Sequence, residues 1–151
     1  MRKIGKYKYR PFCPYGSIYD DPVVQAYGKW IRSYTWSWCI TVTIAGNTPV
    51  ALARQGLINL LLHHSASAKY FLVTEPRASK ALDIQGYVAG LPEHMRLPLQ
   101  DELTWRYGRT LIDPYDPAGG WAFYISKYLK SGYAVPDTNL NPTDTIEDGV
   151  Q

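Results

Sequence analysis

Two apolar runs joined by a short polar loop constrain the fold of this chain more than any other feature. Residues 69 to 76, KYFLVTEP, and residues 81 to 90, ALDIQGYVAG, are rich in the β-branched and aromatic side chains that favour strands. Only the loop of residues 77 to 80 separates them. Two strands joined this closely pair as an antiparallel hairpin, so the sequence predicts one here.

The rest of the chain predicts helices and further strands around this hairpin. Helical spacing with proline starts and glycine stops marks the helices, and alternation of β-branched residues marks the strands. The predicted elements are a helix over residues 22 to 34 capped by Asp20 or Asp21, a strand over 36 to 46, a helix from 47 or 48 to 64, the hairpin, a short helix within 91 to 104, a strand over 105 to 116 that ends at Pro114, and a helix over 118 to 131. This order predicts an α+β fold, with an antiparallel β-sheet covered by helices.

Composition divides the chain, which has the length of one domain, into three parts. Residues 1 to 20 form a basic, aromatic arm and loop, residues 21 to 135 the folded domain, and residues 136 to 151 an acidic tail predicted to be disordered. Residues 138 to 151 hold three acidic and no basic residues, so the net charge of +3 leaves +6 on residues 1 to 137.

The arm concentrates positive charge near aromatic rings. Its basic residues are Arg2, Lys3, Lys6, Lys8 and Arg10, interleaved with Tyr7 and Tyr9. Basic groups with aromatics suit a phosphate backbone and unstacked bases, so the arm is predicted to bind nucleic acid. A solubilising disordered arm is the alternative.

Cysteine usage and hydropathy favour a cytoplasmic protein with no membrane partner. Cys13 and Cys39 are too far apart in sequence for a CxxC zinc motif, and no run approaches 18 apolar residues. No apolar secretion segment is evident near the first residue. We expect a reducing compartment, which would include a prokaryotic host cell.

The hairpin register brings three oxygen-bearing side chains together. If Pro76 lies opposite Leu82, then Glu75 lies opposite Asp83, and Gln85 shares their face of the sheet. Directly opposed carboxylates repel each other unless a cation lies between them. Two carboxylates and an amide oxygen are hard ligands that select Mg²⁺ or Mn²⁺, although a solvent-facing surface would also accept them.

The last predicted helix carries a second polar cluster. Tyr124, Lys127 and Tyr128 follow helical spacing and lie on neighbouring lines of one face. A tyrosine can act as the nucleophile of a phosphodiester transfer when a metal polarises the phosphate and a cation steadies the developing charge. Lys127 is a candidate for that cation.

These residues, in this order, resemble the HUH superfamily of single-strand-nicking endonucleases, particularly the rolling-circle replication initiator (Rep) proteins of plasmids, phages and small circular DNA viruses. The resemblance covers residues 36 to 132. WCITVTI at residues 38 to 44 is similar to the first family motif, and WRYG followed by AGG is also Rep-like. The implied fold is the ferredoxin-like or RRM-like HUH sheet.

The resemblance also implies roles for the two polar clusters. LDIQGYV keeps the Gln-Gly-Tyr of the second motif but carries Asp83 where a histidine is expected, and Glu75 occupies the place of the upstream metal-binding Glu. YISKYLKSG matches the Tyr-x-x-Lys-Tyr form of the third motif, which implies Tyr124 as nucleophile and Lys127 as its basic partner. Tyr128 is then a second acceptor or a packed aromatic.

The first functional hypothesis is therefore a replication initiator-like, metal-dependent endonuclease that nicks a single-stranded or hairpin DNA origin through a 5′-phosphotyrosine intermediate. The chain has no G-x-x-x-x-G-K-[ST] motif, so a separate helicase and polymerase would be partners.

Two hypotheses compete with the enzyme. One is a catalytically inactive DNA-binding relative that stacks bases on exposed tryptophans, although most tryptophans are expected in the core. The tryptophans concerned are Trp36, Trp38, Trp105 and Trp121. The other is an RRM-like RNA-binding domain, which requires exposed aromatics on its two central strands.

Overall fold

A computed structural model describes residues 21–46, 48–76, 82–118, 126, 129 and 136–141, with residues 75 and 76 described in their backbone alone. The helices are α1 (Pro22–Arg32), α2 (Val50–His64) and α3 (Arg96–Arg106), the last preceded by a 3₁₀ turn over Glu93–Met95. The strands are β1 (Trp38–Thr43), β2 (Lys69–Pro76), β3 (Leu82–Ala89), β4 (Thr110–Pro114) and β5 (Asp137–Thr138). They form one antiparallel sheet in the order β4-β1-β3-β2-β5.

The predicted α+β fold is confirmed. The elements β1 to β4 with α2 and α3 follow the β-α-β-β-α-β order, in which β3 pairs between β1 and β2. The hairpin register is also confirmed, because Pro76 pairs with Leu82 and Glu75 pairs with Asp83.

One face of the sheet, here the α2/α3 face, carries an apolar core. Alternate residues of the strands, such as Ile40 of β1 and Ile84 of β3, are fully buried there. Leu57 and Leu61 of α2 and Leu99 and Leu103 of α3 belong to the same buried cluster. The period-2 alternation of the strands therefore meets the apolar stripes of two helices.

The opposite face, here the α1 face, is covered in part by α1. The side chain of Asp21 accepts hydrogen bonds from the backbone N–H groups of Val23 and Val24 and so caps α1, as predicted. Ile31 packs into an aromatic cluster that includes Phe71 of β2 and Tyr87 of β3. This face therefore has a second, smaller core beneath α1.

The fourth predicted strand begins later than expected. Residues 105 and 106 end α3, and β4 begins only at Thr110. Gly108 lies between them at φ +137°, a conformation that favours glycine, and a Cβ there would collide with the carbonyl oxygen of Thr43. WRYG thus marks a helix end and a close backbone approach.

The predicted disordered tail starts too early, because residues 136 to 141 are described and two of them, Asp137 and Thr138, form the edge strand β5. Thr138 pairs with Phe71, and the side chain of Asn139 accepts a hydrogen bond of 3.0 Å from the Tyr70 N–H and donates one of 2.8 Å to the Ala68 carbonyl. Asp137 forms an ion pair with Arg54 of α2. A two-residue strand has little propensity of its own, so these non-local contacts place it.

The arm over residues 1 to 20 and most of the predicted helix 118 to 131 lie outside the described residues.

Candidate metal centre

Strand β3 directs two polar side chains onto the α1 face. Asp83 and Gln85 are only 8% and 6% exposed, and Tyr87 follows on the same face at 1%. The alternative of a solvent-facing surface is therefore wrong for these residues. Burying a carboxylate and an amide costs free energy unless each has partners, and both side chains do take part in polar interactions.

Asp83 lies in a row of residues that crosses the sheet. Its neighbour on β1 is Thr43, and its neighbour on β2 is Glu75. Directly opposed residues of an antiparallel pair have Cβ atoms roughly 4.5 to 5.5 Å apart, so Asp83 and Glu75 start from positions that can share one cation. The next row along the sheet consists of Thr41, Gln85 and Val73, which places the amide beside the carboxylates.

Thr41 and Thr43 are site residues to which sequence reasoning gave no role. Both are half-buried and flank Gln85 and Asp83 on the α1 face. The sequence pattern that could have identified them is the alternation in WCITVTI. If its apolar residues face the same core as those of the hairpin, its threonines lie on the same side of the sheet as Asp83 and Gln85. Their hydroxyls add two hydrogen-bonding groups to this part of the face.

The other end of the α1 face is apolar and aromatic. Tyr87 stacks on Trp36 with ring centroids 5.5 Å apart and meets the edge of Tyr115 at 5.4 Å. Burial raises the pKa values of Tyr87 and Tyr115, and burial raises the pKa of Cys39 to about 12 despite a backbone hydrogen bond from Asp116. This end therefore keeps its phenols and thiol neutral, while the other end carries Asp83 and Gln85.

The donor set fits a hard divalent cation. Asp83 and Gln85 supply oxygen atoms, and the backbone register adds Glu75, so the trio matches the ligand preference of Mg²⁺ or Mn²⁺. Among the described side chains, no group of three His, Cys, Asp and Glu residues is placed to hold a metal. His63, His64 and His94 are all exposed. A metal centre would therefore depend on the amide of Gln85 and on Glu75 as well as on Asp83.

The chain between β4 and β5 reaches the same face. These strands are the two edges of the sheet, four strand spacings or roughly 19 Å apart. Between them, Leu129 is buried in the aromatic cluster with Phe71, Val73 and Tyr87, and Ser126 is fully buried. The predicted residues Tyr124, Lys127 and Tyr128 lie outside the described residues, but their neighbours Ser126 and Leu129 belong to the interior.

The tryptophans divide between core and surface. Trp36 and Trp38 are 4% and 1% exposed, so the core interpretation is confirmed for both, whereas Trp105 is 84% exposed. The aromatic residues of the central strands β1 and β3, Trp38 and Tyr87, are both buried. The exposed central aromatics required by the RRM-like hypothesis are therefore missing from these strands.

Comparisons with families of proteins, with curated proteins and with solved structures give no match to this chain. None of the described helices combines the length and apolar character needed to cross a membrane.

Proposed function

We propose that this protein is a metal-dependent, replication initiator-like endonuclease and strand transferase that acts on single-stranded or hairpin DNA, with Tyr124 as nucleophile. The single observation that supports the proposal is that a residue of the third motif, Leu129, packs on the face of the sheet that holds Asp83 and Gln85. Asp83 and Gln85 are buried on the α1 face, and Leu129, five residues after Tyr124, packs on that same face.

The reaction needs a polarised phosphate and an oxygen nucleophile. Glu75, Asp83 and Gln85 would hold Mg²⁺ or Mn²⁺, which when bound draws electron density from the scissile phosphate. The phenolic oxygen of Tyr124 attacks phosphorus and loses its proton to solvent, and the bond from phosphorus to the 3′ oxygen breaks. That oxygen leaves as a 3′-OH after taking a proton from solvent, and the 5′ phosphate stays on Tyr124.

The remaining predicted residues would offset charge during the reaction or contact the DNA. Lys127 would offset the negative charge that develops during the transfer. The arm residues Arg2, Lys3, Lys6, Lys8 and Arg10 would contact DNA phosphates, whose counterion release favours binding. Tyr128 would either accept the strand in a second transfer or pack as an aromatic.

The resulting adduct suits replication in a plasmid or virus-like cycle in the cytoplasm. A polymerase can extend the free 3′-OH, and a new 3′-OH can later attack the phosphotyrosine and re-join the strand. A separate helicase would open the duplex, because the chain lacks a P-loop motif.

A second candidate is a DNA-binding relative that does not cut. The observation that favours it is the identity of Asp83, because a carboxylate opposite Glu75 replaces the histidine expected from the resemblance. The site then carries one more negative charge, and DNA binding would rely on the arm and exposed aromatic residues.

A covalent-adduct assay tests the proposal. The protein is incubated with Mn²⁺ and a labelled pool of single-stranded and hairpin oligonucleotides, and denaturing gels then detect DNA that remains attached. We expect an adduct in the wild type and in the control variant Tyr27→Phe, and none in Tyr124→Phe. An adduct that persists in Tyr124→Phe and disappears in Tyr128→Phe would assign the nucleophile to Tyr128. DNA binding with no adduct across metals and oligonucleotides would reject the enzyme and leave the second candidate.

A further inference from the structure

Arg109 extends the row of residues that contains Asp83. The register of β1 with β4 pairs Val42 with Thr110, and the Thr43 N–H donates a hydrogen bond of 2.8 Å to the Arg109 carbonyl. Arg109 is two residues before Leu111, whose side chain shares the α1 face with Thr41. By strand alternation, Arg109, Thr43, Asp83 and Glu75 therefore follow one another across the same face.

The backbone holds Arg109 firmly in this position. The Ala45 N–H donates a hydrogen bond of 2.8 Å to the Tyr107 carbonyl, so the end of β1 and the residues after it bind the chain on both sides of Gly108. Gly108 lies so close to Thr43 that a Cβ on Gly108 would collide with the Thr43 backbone. A site built on such an anchored segment keeps its geometry better than one on a free loop.

The guanidinium of Arg109 is available for a ligand. Arg109 is exposed, and it takes part in none of the ion pairs among the described residues, which occupy Arg54, Arg96 and Arg106. Arginine stays charged at any physiological pH and presents a planar set of donors that matches phosphate oxygens. The adjoining surface of the α1 face includes Leu111, which is 47% exposed, and the half-buried Thr41.

Distances across the sheet place Arg109 beside the candidate metal centre without contact between them. Strands β4 and β3 are separated by β1, so their backbones lie roughly 10 Å apart. A phosphate held by the Arg109 side chain would therefore flank a phosphate held over Asp83. The nearest carboxylate on β4, Asp113, is four residues further along, which is roughly 13 Å in a strand.

We propose that Arg109 binds a phosphate next to the scissile phosphate and so sets the path of the single strand across β1 and β4. This assignment rests on the proposed function, because it takes single-stranded DNA as the ligand of the α1 face. It assigns to this face a specific cationic contact that the sheet holds at a fixed position relative to Asp83.

Binding without cleavage tests this contact. In EDTA, fluorescence anisotropy measures the affinity of a labelled single-stranded oligonucleotide from 50 to 200 mM salt, for the wild type, Arg109→Ala and Arg106→Ala. Loss of one charged hydrogen-bonding contact should weaken binding by Arg109→Ala roughly tenfold and reduce the slope of log affinity against log salt by about 0.7. Arg106 is an exposed arginine paired with Glu102 on α3, so its variant should keep the wild-type slope.

A backbone scan then locates the phosphate. Neutral methylphosphonate groups are introduced one at a time, and the substitution at the Arg109 contact should weaken the wild type while leaving Arg109→Ala unchanged. A wild-type slope in Arg109→Ala, with nicking intact, would overturn the Arg109 contact and leave the proposed function standing. A reduced slope in Arg109→Ala, combined with no adduct in the wild type, would support the Arg109 contact and reject the endonuclease. Absence of single-strand binding by the wild type would reject both.

Discussion

The two faces of the same sheet are built from the same strands, yet they differ in what they bury. The α2/α3 face buries aliphatic side chains such as Ile40 and Ile84 beneath two helices. The α1 face buries aromatic rings at one end and the polar pair Asp83 and Gln85 at the other. Apolar burial on the first face supplies stability, and that surplus allows the second face to hold groups that cost free energy to bury.

The largest expected effect comes from the α2/α3 face. Ile40 is fully buried in a central strand, so Ile40→Ala should lower the free energy of unfolding by about 4 kcal/mol. Urea denaturation measures this change. The control is Thr41→Ala, the next residue but on the α1 face, which should cost about 1 kcal/mol or less. Equal losses of stability in the two variants would mean that the two faces do not differ in how much they stabilise the fold.

An intermediate effect is expected at the carboxylate end of the α1 face. At a Mn²⁺ concentration one hundred times its dissociation constant, bound metal should stabilise the wild type by about 3 kcal/mol relative to EDTA. Asp83→Asn keeps the shape of the side chain but removes a charged ligand, so this stabilisation should largely disappear. Thermal unfolding with and without Mn²⁺ measures it.

The matched control for this metal experiment is Asp113→Asn, a carboxylate on β4 at the other end of the same face. It should respond to Mn²⁺ as the wild type does. Stabilisation of Asp83→Asn by Mn²⁺ to the wild-type extent would exclude Asp83 as a ligand of the proposed metal centre.

The smallest effect concerns the aromatic end of the α1 face. Burial raises the pKa of Cys39 to about 12 from its ordinary value of 9.0. Between these values the unfolded chain releases the thiol proton that the folded protein retains, so rising pH favours unfolding. Between pH 8 and pH 10, a protein with Cys39 should lose about 1 kcal/mol more stability than Cys39→Ala.

Urea denaturation at the two pH values measures this difference, with Cys13 replaced by serine in both proteins. The tyrosines with raised pKa values titrate in both, so their contribution cancels in the comparison. Identical losses of stability in the two proteins would mean that the Cys39 thiol is as accessible to solvent in the folded protein as in the unfolded chain.

Much of the candidate site followed from local sequence. The four-residue loop limited the hairpin register, and strand alternation then placed Glu75, Asp83 and Gln85 on one face. Whether that face was buried could not be predicted, because burial depends on α1 and on the chain near Leu129, which are distant in sequence. Arg109 was missed for the same reason, since residues 105 to 109 read as strand and their docking against Thr43 is a tertiary contact.

The sequence by itself determined which residues of each strand share a face, because side-chain alternation and a short hairpin loop are local properties of the backbone. Only the tertiary structure decided that the surroundings of Asp83 are buried and that residues 137 and 138 form an edge strand. It also decided that Arg109 lies in the row of residues that contains Asp83. Those outcomes depend on contacts between segments far apart in the chain, and such contacts form only where the whole fold brings complementary surfaces together.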